Sequence, residues 1–249
     1  MATKLSVTII TLNEEKNIRR CLESVSWADD VVVVDSGSTD KTLDICREFN
    51  VRLLNTAWLG FGRTKQFAVE QAAHDWILSI DADEVVTPEL RDEIGSLLAG
   101  EPEKHGYHIP RLSTYLDKII RHSGWQRDKP LRLFNRQFAA FNDKEVHESV
   151  QVNGEVGELT SFLLHYPYPD ITMHLAKMNH YTELAAQELY ERGKRCSLIE
   201  ARVRGALKFF KMFILHAGFL DGTAGYVLAR NSAFGVYLKY AKLWQKISK

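Results

Sequence analysis

Residues 5–40 read LSVTIITLNEEKNIRRCLESVSWADDVVVVDSGSTD, two β-branched apolar runs separated by an amphipathic stretch. The first run, LSVTIITL (5–12), has the unbroken apolar character of a strand buried on both faces. Asn13 follows it at the position of a helix N-cap, and Glu14 and Glu15 are the acids that favour a helix start. Ile18, Leu22 and Val25 then form one helical stripe, with Cys21 beside it. VVVVD (31–35) is a second buried strand. SGSTD (36–40) is a turn whose Asp40 caps a helix holding Leu43, Cys46 and Phe49.

The alternation continues outward. VRLLN (51–55) is a third strand, a loop with Gly60 and Gly62 leads to a helix near 63–73, and WILSID (76–81) is a fourth strand ending in acids. Strands alternating with helices at this pitch predict a parallel, Rossmann-like α/β sheet. From about residue 107 the stretches YHIPRLS, PLRLFN, EVHESVQV and ELTSFLLHY read as strands that extend or cover that sheet. From Ile171 the pattern is helical, with Leu175, Met178, Thr182, Ala185 and Leu189 at three-four spacing, and helical segments follow near 198–216 and 223–247. The expected organisation is an α/β domain over 1–170, divided at 106/107, and a basic helical extension over 171–249.

With 45% hydrophobic and 26% charged residues in 249, the chain has the composition of a globular protein, which excludes disorder and collagen-like repeats. Three cysteines with no Cys-x-x-Cys pair argue against a disulfide scaffold or structural zinc and fit a reducing compartment. The N-terminal apolar stretch runs straight into acids, unlike a signal peptide, and no apolar run approaches the ~18 residues of a membrane span. A cytoplasmic location is expected. The net charge of zero hides an asymmetry: residues 194–249 carry eleven Lys or Arg against two acids, so the body is acidic and the tail basic. Such a tail suits an anionic partner or a solvated helix face.

Polar residues gather after the first, second and fourth strands, at the carboxyl edge where open α/β sheets bind ligands. Asp81-Ala82-Asp83 places two carboxylates around a small residue, a hard-oxygen site for Mg²⁺ or Mn²⁺ with positions left for a diphosphate. Asp35 can accept hydrogen bonds from a nucleobase or ribose, and Gly37 allows close backbone approach; an Asx turn is the plainer reading of the same residues. No G-x-G-x-x-G follows the first strand, and neither a P-loop nor a G-x-S-x-G elbow occurs. A metal-assisted transferase using a nucleotide-activated donor is the remaining well-specified reading.

TIITLNEEKNI, VVVVDSGSTDKT and ILSIDADE, in this order and spacing, resemble the donor-binding half of a family 2 glycosyltransferase, the inverting GT-A fold. GWQRDKPLRLFNR, EVHESV and LLHYPYPDITMHLAKMNHYTE resemble the bacterial subgroup that builds lipopolysaccharide inner core, of the β-1,4-glucosyltransferase type. The resemblance implies a mixed, mainly parallel sheet flanked by helices. Thr11, Asn13 and Glu14 would line the nucleoside pocket, with Asp35 on base or ribose and Lys65 reaching the same nucleotide. Asp81 would face ribose or metal, Asp83 would ligate the metal, and His165 would be a further ligand or diphosphate contact. The family's usual hydrophobic-Glu-Asp base motif is absent; Glu148 is the candidate base, with Glu145 and Glu84 behind it. Trp125 and Arg132 fall where the family's acceptor loop would be.

The implied activity is transfer of a hexose, glucose in that subgroup, from a uridine diphosphate sugar to a lipid-linked saccharide at the inner face of the cytoplasmic membrane. A polyprenyl-phosphate glycosyltransferase, a sugar nucleotidyltransferase and a catalytically silent scaffold are alternatives. ARVRGALKFFKMFILHAGFL and YLKYAKLWQKISK interleave basic and aromatic residues, which suits a helix in a membrane interface. The same stripe could pack on the catalytic domain or on a second subunit. No nucleic-acid-binding motif accompanies the basic tail.

Overall fold

The computed structural model describes residues 3–125, 128–142 and 149–248. The strands and helices run β1 (Leu5–Thr11), α1 (Ile18–Ser24), β2 (Asp30–Asp35), α2 (Thr42–Cys46), β3 (Arg52–Asn55), α3 (Phe61–Gln71), β4 (Trp76–Asp81), β5 (Glu84–Val86) and α4 (Pro88–Ala99). Short strands follow: β6 (Gly106–His108), β7 (Arg111–Tyr115), β8 (Lys118–Ile119), β9 (Leu131–Asn135), β10 (Ala139–Phe141), β11 (Val150–Val152), β12 (Val156–Glu158) and β13 (Leu163–His165). Then come α5 (Ile171–Glu191), α6 (Leu198–Phe210) and α7 (Gly222–Ile247), the last two joined by a π-helical turn, Lys211–Leu215, and a short 3₁₀ turn.

The chain forms two units. The first comprises Met1–Arg111 and Asp128–Tyr166, the second Leu112–Arg127 and Pro167–Lys249. In the first, a seven-stranded sheet has the order β12-β6-β9-β4-β1-β2-β3. The pairs from β4 through β1 and β2 to β3 are parallel, and β9 is the one strand that runs against both its neighbours, β4 and β6. The sheet is mixed and mainly parallel, as the alternation predicts.

The unbroken apolar runs exist because both faces of the sheet are covered. Val7, Ile9, Val31, Val33, Leu78 and Ile80 pack with Ile18, Cys21 and Leu22 of α1 and Leu90, Ile94 and Leu98 of α4. Ile10, Val32 and Val34 instead meet Ala68 of α3. Every residue of β1 is buried. Burying one such aliphatic side chain stabilises by roughly 1.5–3 kcal/mol, so this strand is the anchor of the sheet. Thr87 caps α4, its hydroxyl accepting from Leu90 N at 3.2 Å, with Pro88 at the first helical position.

One local expectation is corrected. Asn13 does not cap α1: it sits at φ 55°, and the helix begins only at Ile18. The reason is a partner across the sheet edge, described below.

In the second unit, Asp170 caps α5 by accepting from Met173 N at 2.8 Å, and Ser197 caps α6 by accepting from Glu200 N at 3.1 Å. Tyr115, Ile120, Met212, Leu228 and Ala229 form its core, with Trp125 packed against it. No single helix among the described residues is long and apolar enough to cross a membrane.

Candidate active site

The carboxyl ends of β1 and β2 carry loops laced to one another. Asn13 N donates to Ser38 Oγ and Thr39 N donates to Asn13 Oδ1, each at 2.8 Å. Glu14 N donates to Thr42 Oγ1 at 2.8 Å, and Glu15 N to Asp40 Oδ2 at 3.1 Å. These bonds hold Asn13 in the left-handed region, which asparagine tolerates because its short amide can bond locally. Glu14 in turn accepts from Asn17 Nδ2 at 2.7 Å.

Asp35 is 1% exposed. Its Oδ2 accepts from the backbone N–H groups of Gly37 and Ser38 at 2.8 and 2.9 Å, and its Oδ1 accepts from the Ser38 hydroxyl. The carboxylate thus shapes the Asx-type loop around Gly37, whose φ of 100° is one that glycine adopts at no steric penalty. Beside it, Thr11 Oγ1 and Ser36 Oγ are buried with no hydrogen-bond partner among the described residues. Unsatisfied hydroxyls of this kind call for a ligand or water.

At the end of β4 lies a network of charges. Asp81 Oδ1 is 2.8 Å from Lys65 Nζ of α3, and Asp81 Oδ2 is 2.5 Å from Arg132 Nη2 of β9. Glu84 Oε1 is 2.6 Å from Arg132 Nη2 and 2.7 Å from Arg111 Nη1, while Glu84 Oε2 accepts from Asp81 N at 2.9 Å. Arg111 also pairs with Asp128, its Nε donating at 2.7 Å. Lys65, Glu84 and Arg132 are buried, where charges persist only in pairs. Burial opposes ionisation of Asp81, but Arg132 and Lys65 outweigh it and hold the carboxyl well below the usual carboxylate range. The same attraction keeps Arg132 charged against burial.

Asp83 lies just beyond. Its Oδ2 is 3.4 Å from His165 Nε2, and its carbonyl accepts from Tyr166 N at 2.8 Å. The antiparallel register of β5 and β13 sets His165 opposite Glu84 and so beside Asp83. A carboxylate and an imidazole side by side fit a divalent cation. Among the described residues no three His, Cys, Asp or Glu side chains are grouped so that they could hold a metal ion. A cavity of about 790 Å³ is lined by Lys65, Asp81, Arg111, Phe141, Arg132 and His165 among others. That volume, lined by Lys65, Arg111 and Arg132 together with their partner Asp81 and with Asp128, suits a polar ligand of nucleotide-sugar size.

The edge of the sheet therefore brings together Thr11, Asn13, Glu14, Asp35 and Gly37 in one loop cluster, and Lys65, Asp81, Asp83 and His165 at the end of β4, with Ala82 buried between the two acids. Arg132 is not a loop residue: it is a buried strand residue of the ion network. Trp125 belongs to the second unit, where its ring meets Tyr115 and Tyr168 edge-on and tilted at 6.3 and 6.4 Å. Glu84 cannot act as a base, because it is fully buried and both its oxygens are engaged. Glu148 and Glu145 lie outside the described residues. The sequence reading missed Arg111 and Asp128 as site residues: Arg111 stood in the strand-like stretch YHIPRLS, and Asp128 in the charged run RDKP before an apolar strand.

Comparison with known proteins now gives the class. A family model described as glycosyl transferase family 2 matches residues 6–147. An uncharacterized glycosyltransferase of Rickettsia bellii is 34% identical over 98% of this chain and 87% of its own length. The lipopolysaccharide core biosynthesis glycosyltransferase LpsC of Rhizobium meliloti is 30% identical over 97% of this chain and 92% of its own. TarS 1-349 of S. aureus, crystallised with UDP-GlcNAc, superposes with a TM-score of 0.53 at 16% identity, covering 99% of this chain and 92% of that one. The chain is a glycosyltransferase of the GT-A fold, and it belongs to glycosyl transferase family 2.

Proposed function

We propose that the protein transfers a hexose, glucose being the favoured one, from a uridine diphosphate sugar to a lipid-linked saccharide such as lipopolysaccharide inner core, with inversion. The observation that carries this reading is the Asp83–His165 pair beside a charged cavity of about 790 Å³ at the carboxyl edge of the sheet. The full-length similarity to LpsC supports the choice of acceptor. In a single displacement the acceptor oxygen bonds to the anomeric carbon as the bond to the diphosphate breaks, and the hydroxyl proton passes to a carboxylate, for which Glu148 is our candidate. Asp83 and His165 would hold Mg²⁺ or Mn²⁺, whose charge supplies electrostatic stabilisation of a departing diphosphate.

Thr11 and the Asn13–Glu14 backbone form one wall for the nucleoside, with Asp35 and Gly37 positioning the facing loop. Lys65 and Arg132, held in place by Asp81, offer N–H donors to a diphosphate at the end of β4. A lipid-linked acceptor would bring the protein to the inner face of the cytoplasmic membrane. Calorimetric titration with uridine diphosphate, with Mn²⁺ and again with a chelator, tests the donor assignment. Metal-dependent binding is expected; absence of binding in both conditions would refute it.

A further inference from the structure

Helix α6 is apolar on two opposite sides. One side, Ala201 and Gly205, is buried against α7, so tightly that a methyl on Gly205 would lie 3.1 Å from Ala233 O. The other side carries Ile199, Val203, Leu207 and Phe210, spaced by four, four and three residues and 73, 50, 61 and 50% exposed. Past the π-helical turn Leu215 and, beyond a 73° bend, Phe219 and Leu220 are exposed as well, at 66, 50 and 61%. An amphipathic helix turns such a row inward, and a contiguous exposed one marks an interaction surface.

The rim of this row is basic. Its exposed cations are Arg202 and Lys211, while Arg204 is paired with Glu200, the one acid of α6, at 2.7 Å, and Lys208 is half-buried. Between α6 and α7 a groove of about 530 Å³ presents Arg202 and Arg230 among Phe209, Phe234 and Tyr237. Two exposed guanidiniums above aromatic walls suit phosphate groups carried on an amphiphile. A second copy of this chain is a poor occupant. A two-fold contact through the row would lay the basic rim against itself, and like charges across an interface are repulsive.

We propose that this face of α6, together with Leu215, Phe219 and Leu220, seats the protein in the surface of an anionic phospholipid bilayer. The apolar row enters the boundary of the acyl chains, and the exposed Arg202, Lys211 and Arg230 meet the lipid phosphates. The proposal rests on the reading of a lipid-linked acceptor and names the surface that serves it.

Co-sedimentation of the full chain with vesicles tests it, using phosphatidylcholine alone and an equimolar mixture with phosphatidylglycerol. Binding is expected to the mixture, weakening as salt screens the rim, with none to phosphatidylcholine alone. Leu207→Glu with Phe210→Glu should lower binding by at least about ten-fold, since each exposed apolar side chain lost from the lipid is worth about that factor. Uridine diphosphate binding and helical content by circular dichroism should both be unchanged in the same variant, which shows that both units fold. A wild-type chain that ignores the mixed vesicles, or a double variant that binds like wild type, overturns the proposal. A dimer dispersed by the double variant, with no vesicle binding, would also overturn it and assign the row to a second copy. A wild-type chain that binds the mixed vesicles but not uridine diphosphate would instead refute the donor reading and leave this surface standing.

Discussion

Asp81 Oδ2 and Arg132 Nη2 meet at 2.5 Å across the junction of β4 and β9, the place where the parallel part of the sheet gives way to an antiparallel pair. The ion pair ties the D-x-D segment to the one strand that reverses the sheet. Asp81 is thereby committed to two cations, Arg132 and Lys65, while Asp83 is the acid that stands beside His165.

Asp81→Asn should therefore act first on stability. It leaves the buried Lys65 and Arg132 with one counter-charge fewer, and breaking a buried ion pair from one side costs about 3 kcal/mol or more. The wild-type carboxyl is held below its ordinary range, so the native state binds this proton more weakly than the unfolded chain does. Its stabilising contribution is full above the unfolded value of about 3.9 and is lost as the pH falls below it. Urea unfolding at neutral and acid pH should show a lowered neutral stability and a shallower acid-side slope in the variant. An unchanged slope would mean that the pair contributes nothing.

Asp83→Ala and His165→Ala should each weaken metal-dependent uridine diphosphate binding while leaving the melting temperature close to wild type. Both side chains lie outside the Lys65–Arg132–Glu84 network. Calorimetry with Mn²⁺ and with a chelator separates the two effects. Equal affinity in variant and wild type would remove that residue from the proposed metal pair.

The sheet was legible because β1, β2 and β4 are buried on both faces and so appear as unbroken apolar runs; the ends of β4 at Trp76 and Asp81 could be read directly. The starts of α5 and α6 were legible for a different reason, the change to three-four spacing after Asp170 and Ser197. Asn13 misled because its partner, Thr39, is on another loop, and a local capping pattern cannot show a bond 26 residues away. The ion network was hidden in the same way: Glu84 meets Arg111 and Arg132 at separations of 27 and 48 residues, with no period to reveal them. Nor does composition show that Leu112–Arg127, a stretch containing most of β7 and all of β8, groups with the helices that begin at Pro167.

Glu148→Gln tests the proton acceptor. A glutamine keeps the size and hydrogen bonding of the side chain but cannot take a proton at neutral pH. Uridine diphosphate binding should persist, and turnover should fall by about 100-fold or more. The two readouts must separate. Near-normal turnover would move the base to another carboxylate, and Glu84 is unavailable because Arg111, Arg132 and Asp81 N engage both of its oxygens.

The second unit should carry its own acid sensitivity through His174. Its Nδ1 lies 2.8 Å from the Tyr115 hydroxyl, which also receives Asn231 Nδ2 at 3.0 Å, and its ring stacks on Tyr168 with centroids 4.2 Å apart. Burial lowers the pKa of this imidazole, so the native state favours the neutral ring more strongly than the unfolded chain does. The resulting stability is full above the unfolded histidine value of about 6.5 and drains away as the pH falls below it. His174→Gln keeps a polar partner for Tyr115 but cannot be protonated in this range. It should lower stability at neutral pH by about 1 kcal/mol, the worth of one imperfectly replaced hydrogen bond, and flatten the decline on acidification. Thermal melts of wild type and variant across mildly acid pH decide the matter: parallel curves would show that protonation of His174 is not what loosens this unit, whereas converging curves would locate the sensitivity at the Tyr115–His174 contact.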